Sequence, residues 1–296
     1  MTTFALRAPG ARFGAATSVV LGRVADGVRD VARQPTLLVA WTVVLLAVAW
    51  AVVPDLFTAT SPYEGDSDLS FAPPGWDHPF GTDRLGRDLY SRAVHGAAAT
   101  LTATLIAVLV ALTIGGLIGL VAGYFGRHVD TAVMRTVDVG LAIPSLLLAM
   151  VIVSMLGYST RNIALAVGIA SIASFARVMR AEVVRVVGSD YVEAADGVGA
   201  RRPAVVLRHV LPNSMSSVLA LAALEIGTSV LAVASLGFLG YGAPPPEPEW
   251  GLLVAEGRDF VGQYPWISVL PGVLIAALVL SSHRIARSFR RSHLEP

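Results

Sequence analysis

Residues 190–213 read DYVEAADGVGARRPAVVLRHVLPN and lie between two segments that are too apolar for water. The first residue of this stretch and Glu193 have the spacing of a capping box, which predicts the start of a helix. Gly197 and Gly199 together predict the end of that helix. Pro203 suits the first turn of a second helix, which we expect to stop before Pro212. The stretch is therefore predicted to be a polar hairpin of two short helices.

The composition of the whole chain indicates a membrane protein. Hydrophobic residues make up 54% of the 296 residues, charged residues make up 15%, and the mean hydropathy is +0.66. A typical soluble domain has about 25% charged residues. We therefore expect most of the chain to lie in the bilayer, with the charges in loops and at the ends.

Two residue types are absent, and their absence excludes several kinds of chemistry. The chain has no cysteine, which excludes a disulfide, a thiol nucleophile and a thiolate metal site. It also has no lysine, so all 22 basic residues are arginine. This excludes the lysine of a nucleotide-binding P-loop and a Schiff-base lysine. If ATP is used, another chain must bind it.

Six apolar segments are predicted to cross the membrane as helices, for which about 20 residues are needed. They are residues 37–53, 100–123, 137–157, 162–176, 218–239 and 266–282. We expect the fourth helix to continue through Arg177 and Arg180, and prolines to kink the third helix at Pro144 and break the sixth at Pro271. Residues 124–135 are predicted to be a short polar turn.

Glycines recur at every fourth position of the second span, at Gly115, Gly119 and Gly123. Small residues on one ridge let helices approach closely inside a membrane. We therefore expect this face to contact protein and not lipid.

The arginines are distributed unequally between the two sides of the predicted topology. Seventeen lie on the side of the chain ends and the 190–213 hairpin, and five lie on the other side, where we count eleven acidic residues. By the positive-inside rule, both ends and the hairpin are predicted to be cytoplasmic. Residues 1–34 are expected to be a cytoplasmic lead-in and not a removed signal peptide.

The hairpin motif, with its Glu-Ala-Ala run, its glycine and its Leu-Pro pair, resembles the EAA loop of ABC importer permeases. These are the membrane subunits of binding-protein-dependent uptake systems, in which the loop is the coupling helix that docks on an ATPase subunit. The resemblance places the following residues on an ATPase-coupling surface: Tyr191, Glu193, Ala194, Ala195, Gly199, Arg202, His209, Leu211 and Pro212. The alternative for the whole stretch is an ordinary amphipathic loop at the membrane interface. For His209 two interpretations are open, a pH sensor and a simple interface histidine, and we favour the second.

Two further stretches, HPFGTDRLGRDLYSR at 78–92 and the region around Glu-Trp-Gly in 240–260, resemble the dipeptide, oligopeptide and nickel branch of that family. Their motif residues are Gly81, Thr82, Asp83, Gly86, Arg87, Asp88, Glu249, Trp250 and Gly251. We favour a turn held by local ion pairs over direct substrate contact. Residues 250–260 are expected to form an amphipathic helix at the surface, and the tail does not match the branch.

Glu225 is the only acidic residue deep inside a predicted span. An ionisable group there is costly and usually faces the bundle interior or a water-filled cavity. Our hypothesis is that Glu225 and Ser229 line the translocation path, where Glu225 can pair with a substrate amino group or with water. The alternative is a protonated carboxyl group that bonds to a neighbouring helix.

The resemblance implies an all-α, type I ABC importer permease fold in a bacterial inner membrane. Its regions would be a cytoplasmic segment (1–36), the first span with an extracytoplasmic loop (37–99), a permease core (100–283) and a cytoplasmic tail (284–296). The implied partners are a second permease in a heterodimer, two ATPase subunits or one fused ATPase chain that use ATP and Mg, and an extracytoplasmic binding protein.

The implied substrate is a short peptide, with nickel, glutathione and other small solutes left open. We expect no metal or cofactor in this chain, no catalytic residue and no nucleic acid partner. A proton-coupled secondary transporter is the rival class, but it would need inverted repeats or paired broken helices, which the two halves do not show. A membrane enzyme would need a catalytic constellation that six scattered histidines do not supply.

Overall fold

A computed structural model describes residues 34–292, and nearly all of the regular structure in them is helical. The predictions for residues 1–33 and 293–296, which include the lead-in and the end of the tail, lie outside the described residues. The helices are α1 (Pro35–Val52), α2 (Leu89–Phe125), α3 (Arg127–Ala142), α4 (Ser145–Leu156), α5 (Thr160–Val187), α6 (Asp190–Gly197), α7 (Arg202–Phe238), α8 (Trp250–Gly257) and α9 (Trp266–Ser292). The prediction of an all-α fold is confirmed for this part of the chain.

Within residues 34–292, five helices are long and apolar enough to cross a membrane, namely α1, α2, α5, α7 and α9. A sixth crossing exists only if α3 and α4, which are bent by 93° at a short break, count as one. Helix α5 lies at the centre, where it packs against α2, α3, α4 and α7. The far side of the bundle, as we use the term, is the side opposite the 190–213 hairpin.

The expected third span, 137–157, is not a single kinked helix. Ile143 and Pro144 are extended and separate α3 from α4. The residue before a proline is driven away from the helical region by steric contact with the ring, so α3 ends there and α4 begins as a separate helix. The 12 residues of α4 extend for about 18 Å at 1.5 Å per residue, which is too short for a hydrocarbon core of about 30 Å.

The polar turn predicted at 124–135 is also wrong, because the chain turns at Gly126 and then enters α3. The charges on α3 pair with arginines on α5 and do not only contact solvent. Asp130 accepts two hydrogen bonds from Arg180, at 2.8 and 2.6 Å, and Asp138 accepts one from Arg177 at 2.6 Å. These ion pairs hold α3 against α5 near the hairpin end of that helix.

Three helix boundaries differ from the predictions. Helix α2 begins at Leu89 and not at residue 100, because Asp88 caps it by accepting hydrogen bonds from the next backbone N–H groups. Helix α9 continues through Pro271 without a break. Helix α7 does not stop before Pro212, because a π turn at Val206–Val210 precedes the proline and moves the carbonyl group that its ring would otherwise meet.

The prediction for the glycine ridge of α2 is confirmed. A Cβ atom on Gly115 would lie 2.6 Å from the Ile172 carbonyl oxygen, and one on Gly123 would lie 2.8 Å from Val183 Cβ. Between them, a Cβ atom on Gly119 would meet the Ala176 carbonyl oxygen of α5. The ridge therefore sets the close spacing of α2 and α5.

We predict that Gly119→Ala destabilises the protein, whereas Gly116→Ala on the same helix does not. Overpacking at the α2–α5 contact typically costs about 1–3 kcal/mol. At Gly116 nothing lies within 4 Å of the added methyl group, so helix propensity alone acts there and favours alanine by about 1 kcal/mol. Thermal unfolding of the purified protein in detergent measures both variants, and equal melting temperatures would contradict the prediction.

Candidate functional site

The hairpin at 190–213 is joined directly to the central helix. Only Gly188 and Ser189 separate α5 from α6. The predicted capping box is wrong, because Asp190 lies inside the first turn of α6 and the Ser189 carbonyl accepts from the backbone N–H groups of Val192 and Glu193, at 3.0 and 3.2 Å. So short a connection leaves little freedom between α6 and α5.

A backbone turn closes α6 at the glycine that the sequence indicates. Gly199 has φ +80°, and the N–H of Ala200 donates to the Ala195 carbonyl at 3.2 Å. This six-to-one hydrogen bond is the Schellman arrangement, in which the left-handed position favours glycine. The direction in which the chain enters α7 is therefore set by local chemistry.

Buried valines hold the hairpin against the bundle. Val192 of α6 and Val205 and Val210 of α7 are buried in one cluster with Met179 and Val183 of α5. Because these side chains come from both arms of the hairpin, the two arms and the end of α5 form one packed body. A force on the exposed face of the hairpin would act on α5 and α7 together.

The opposite face of the hairpin is exposed and carries most of the residues predicted for ATPase coupling. Exposed are Tyr191, Glu193, Ala194, Gly199, Arg202 and Pro212, whereas Ala195, His209 and Leu211 are partly buried. Sequence reasoning missed Val198 and Leu207, which are 85% and 64% exposed on the same hairpin. No signal in the sequence separates them from the buried valines of the same hairpin, because both sets are apolar.

On the far side, the Gly-Thr-Asp and Gly-Arg-Asp runs form a tight loop before α2. Gly86 has φ +70°, and a Cβ atom there would overlap the Asp66 carbonyl oxygen. The Thr82 hydroxyl donates to the Leu69 carbonyl and accepts from the Ala72 N–H, the second bond at 2.8 Å. These residues tie the segment after α1 to the start of α2.

The charges of this loop belong to a buried group that we call the far-side ion cluster, consisting of Asp83, Arg87, Arg92 and Glu256. The Arg87 side chain donates to Asp83 at 2.6 Å and approaches Glu256 at 3.5 Å, and Arg92 donates to Glu256 at 2.8 Å. Arg92 is fully buried. The predicted turn held by local ion pairs is present, but the cluster also extends beyond this turn, because Glu256 of α8 takes part in it.

The Glu-Trp-Gly run places the start of α8 between α2 and α7. Glu249 caps α8 by accepting from the N–H groups of Gly251 and Leu252, at 2.9 and 3.0 Å, and also accepts from the Thr100 hydroxyl at 3.2 Å. The Trp250 indole donates to the Ala93 carbonyl at 2.8 Å. Burial raises the pKa of the Glu249 carboxyl, and the backbone hydrogen bonds oppose that rise.

The surface position expected for residues 250–260 is wrong for α8, because every residue of that helix is buried or half-buried and the exposed residues, Arg258 and Asp259, follow it. Trp250 and Leu253 are buried in a cluster with residues of α2, α7 and α9. A side chain on Gly251 would meet the Ala234 carbonyl of α7. Asp88, the last of the predicted far-side residues, caps α2 and lies 3.5 Å from the His78 ring nitrogen.

Glu225 and Ser229 lie on α7 at a small cavity where α4, α5 and α7 meet. The cavity has a volume of about 80 Å³ and is lined by Ser145, Leu146, Ala149, Val167, Ala170, Ser171, Glu225, Thr228, Ser229 and Ala232. The Ser171 hydroxyl donates to Glu225 at 2.6 Å. The structure thus brings the two residues predicted for the translocation path together at one cavity between α4, α5 and α7.

The part of the chain that the structure describes contains no group of three His, Cys, Asp or Glu side chains that could hold a metal ion. The hairpin can transmit a movement, and the cavity can contact a solute.

Comparisons with known proteins agree with the fold. The family described as binding-protein-dependent transport system inner membrane component matches residues 115–293. The chain is 35% identical over 240 residues to the dipeptide transport system permease protein DppC of Alkalihalophilus pseudofirmus, covering 81% of this chain and 79% of the relative. It is 36% identical over 261 residues to the glutathione transport system permease protein GsiD of Pectobacterium atrosepticum, covering 87% and 86%.

A solved structure has the same type of fold at lower sequence similarity. The crystal structure of an amino acid ABC transporter with histidines superposes with a TM-score of 0.54 at 16% identity, covering 69% of this chain and 94% of that one. The prediction of an ABC importer permease fold is confirmed.

We predict that Glu256→Gln strongly destabilises the protein, because it leaves the buried Arg92 without its closest carboxylate. Removing one partner of a buried ion pair typically costs about 3–5 kcal/mol. Asp259→Asn is the matched control, since its pair with Arg258 is exposed. Thermal unfolding in detergent should show a large decrease in melting temperature for the first variant only, and a decrease of equal size in both would refute the assignment.

Proposed function

Because the chain belongs to the family of binding-protein-dependent transport system inner membrane components, we propose that it is the permease subunit of an ATP-driven importer for short peptides. The observation that carries this proposal is the packing of the hairpin on α5. The same helix that ends in the exposed hairpin also contributes Ser171 to the intramembrane cavity. A push from the hairpin side thus acts directly on a helix that lines a possible solute path.

The proposed partners are a second permease, two ATPase subunits or one fused ATPase chain, and a binding protein that delivers the substrate. This chain itself contributes no catalytic group, and ATP and Mg are used by the partners. The absence of lysine from the sequence supports this division, since a P-loop needs a lysine at the phosphates.

The proposed mechanism is a lever movement. ATP binding closes the ATPase subunits and pushes on the exposed face of α6. The buried valines and the two-residue connection carry this movement into α5 and α7. The ion pairs of Asp130 and Asp138 with α5 then move α3 and, beyond Pro144, α4. Since α4, α5 and α7 line the cavity, their movement would open it alternately to the two sides.

The proposed orientation has the hairpin and both chain ends in the cytoplasm of a bacterial inner membrane. The excess of arginine on that side supports it through the positive-inside rule. The far-side ion cluster would then lie at the extracytoplasmic surface. There it holds α8 in place beneath the surface to which the binding protein delivers substrate.

The proposed substrate class is short peptides, since a relative of this chain is named as a dipeptide permease. Glutathione is a second candidate, because a relative of almost equal similarity is a glutathione permease. Reconstitution of the chain with its partners in proteoliposomes tests the choice through ATP-dependent uptake of labelled dialanine and of labelled glutathione.

We predict that Glu193→Arg uncouples ATP hydrolysis from import. Glu193 is exposed on the proposed docking surface, so the substitution reverses a charge without disturbing the core. A like charge placed opposite another at an interface costs several kcal/mol, and each 1.4 kcal/mol weakens the binding constant about tenfold. Uptake should therefore decrease at least about tenfold while ATP hydrolysis by the partners persists.

Glu193→Gln is the control, because it removes the charge and keeps the size of the side chain. It should reduce uptake less than Glu193→Arg does. Wild-type uptake per ATP hydrolysed in the arginine variant would refute the docking assignment.

A further inference from the structure

We propose that the cavity around Glu225 is a binding site for the ammonium group of the transported solute. This inference rests on the proposed function, and it adds the part of the substrate that the permease itself recognises. The site lies where α4, α5 and α7 meet, away from the hairpin surface, and it is open at Ser145 and Thr228, which are exposed.

The charge of the cavity lining selects a cation. Glu225 is the one acidic residue among the lining residues, and none of the described lining residues is basic. The other polar lining groups are hydroxyls, which accept hydrogen bonds from an ammonium group as readily as they donate. A carboxyl group surrounded by hydroxyls and apolar side chains attracts positive charge and disfavours a carboxylate or phosphate.

A second observation points to a ligand and is independent of the charge. Ser229 is 1% exposed, and its hydroxyl has no hydrogen-bond partner among the described residues. Leaving a buried polar group without a hydrogen-bond partner is unfavourable, and a ligand that supplies one removes that cost. Because Ser229 lines the same cavity one turn after Glu225, an ammonium group placed there could use both side chains.

The hydrogen bonds already present leave Glu225 available to a ligand. The Ser171 hydroxyl donates to one carboxyl oxygen, Oε1, at 2.6 Å, and Thr228 bonds to the backbone carbonyl of Glu225 and not to its side chain. Glu225 is only partly buried, so its other carboxyl oxygen can be reached. Ser171 thus holds the carboxyl in place, as a positioning residue would.

The size of the cavity limits what can enter. Its volume is about 80 Å³, which is well below the roughly 300–1,000 Å³ of pockets that enclose a drug-sized ligand. There is room for an ammonium group and the carbon that carries it, but not for a whole dipeptide. The cavity would therefore contact one end of the solute while the remainder stays in the wider path.

The absence of cysteine from the chain makes a direct test possible. Ser229→Cys is introduced in two backgrounds, one that keeps Glu225 and one that carries Glu225→Gln. Each importer is assembled with its partners in membranes. The new thiol is then treated with two methanethiosulfonate reagents of similar size, one carrying ammonium and one carrying sulfonate. Each labelling rate is divided by the rate of the same reagent with a free thiol in solution.

The selectivity ratio is the normalised rate of the ammonium reagent divided by that of the sulfonate reagent. We expect a ratio of at least about ten for Ser229→Cys, since charged clefts raise local ion concentrations by factors of that order. Glu225→Gln should bring this ratio close to one. Ser145→Cys, which lines the same cavity, repeats the test if the first variant does not assemble. Ser70→Cys is the control, because it is exposed before α2 and its ratio should not respond to Glu225→Gln.

Three labelling results would each overturn the proposal. They are equal normalised rates for the two reagents, a selectivity ratio that Glu225→Gln leaves unchanged, and no reaction with either reagent in the presence or absence of ATP. Dialanine uptake gives a second readout, which should decrease about tenfold in Glu225→Gln and recover in part in Glu225→Asp. Unchanged uptake in the glutamine variant also overturns it. The labelling experiment does not require transport. If the ammonium reagent reacts faster in a Glu225-dependent way but the assembled importer takes up no peptide, the result refutes the proposed function and not the cation-selective cavity.

Discussion

The contact between α2 and α5 is the one on which the rest of the structure depends. In lipid, helices gain little by covering apolar surface, so association depends on close van der Waals packing of small residues. Gly115, Gly119 and Gly123 of α2 provide it from one helix, and Gly168 of α5 approaches the Ala107 carbonyl from the other. Because α5 is fixed in this way, it can serve both as the wall of the cavity and as the base of the hairpin.

The protein uses buried charge in two different ways. In the far-side ion cluster, Arg92 and Glu256 neutralise each other, and the result is a defined position for α8. Buried ion pairs contribute little net stability but penalise every arrangement that separates them. Glu225 has no such counter-ion in the described part of the chain and meets only the Ser171 hydroxyl. The paired charges organise structure, and it is the absence of a paired cation at Glu225, among the residues that the structure describes, that leads us to propose a solute there.

Some local signals in the sequence predicted local structure correctly. Three features follow from the residues that form them. They are the close contact at the glycine ridge, the end of α6 at Gly199, and the helix α1, which a charge-free segment predicts. The third span failed because hydropathy counts 137–157 as one segment, although the backbone at Pro144 breaks it. The partners Arg92 and Glu256 were missed because they lie 164 residues apart and look unremarkable in their own segments.

The sequence by itself determined the class of protein, the hairpin with its exposed Glu193, and the isolated acid at Glu225, because composition, helix caps and hydropathy act over a few residues. Only the tertiary structure decided that α8 is buried, that α3 lies against α5, and that Ser229 and Ser171 share a cavity with Glu225. These features depend on which helices are neighbours. That choice is made by close packing and charge pairing between segments far apart in the chain, which no local pattern records.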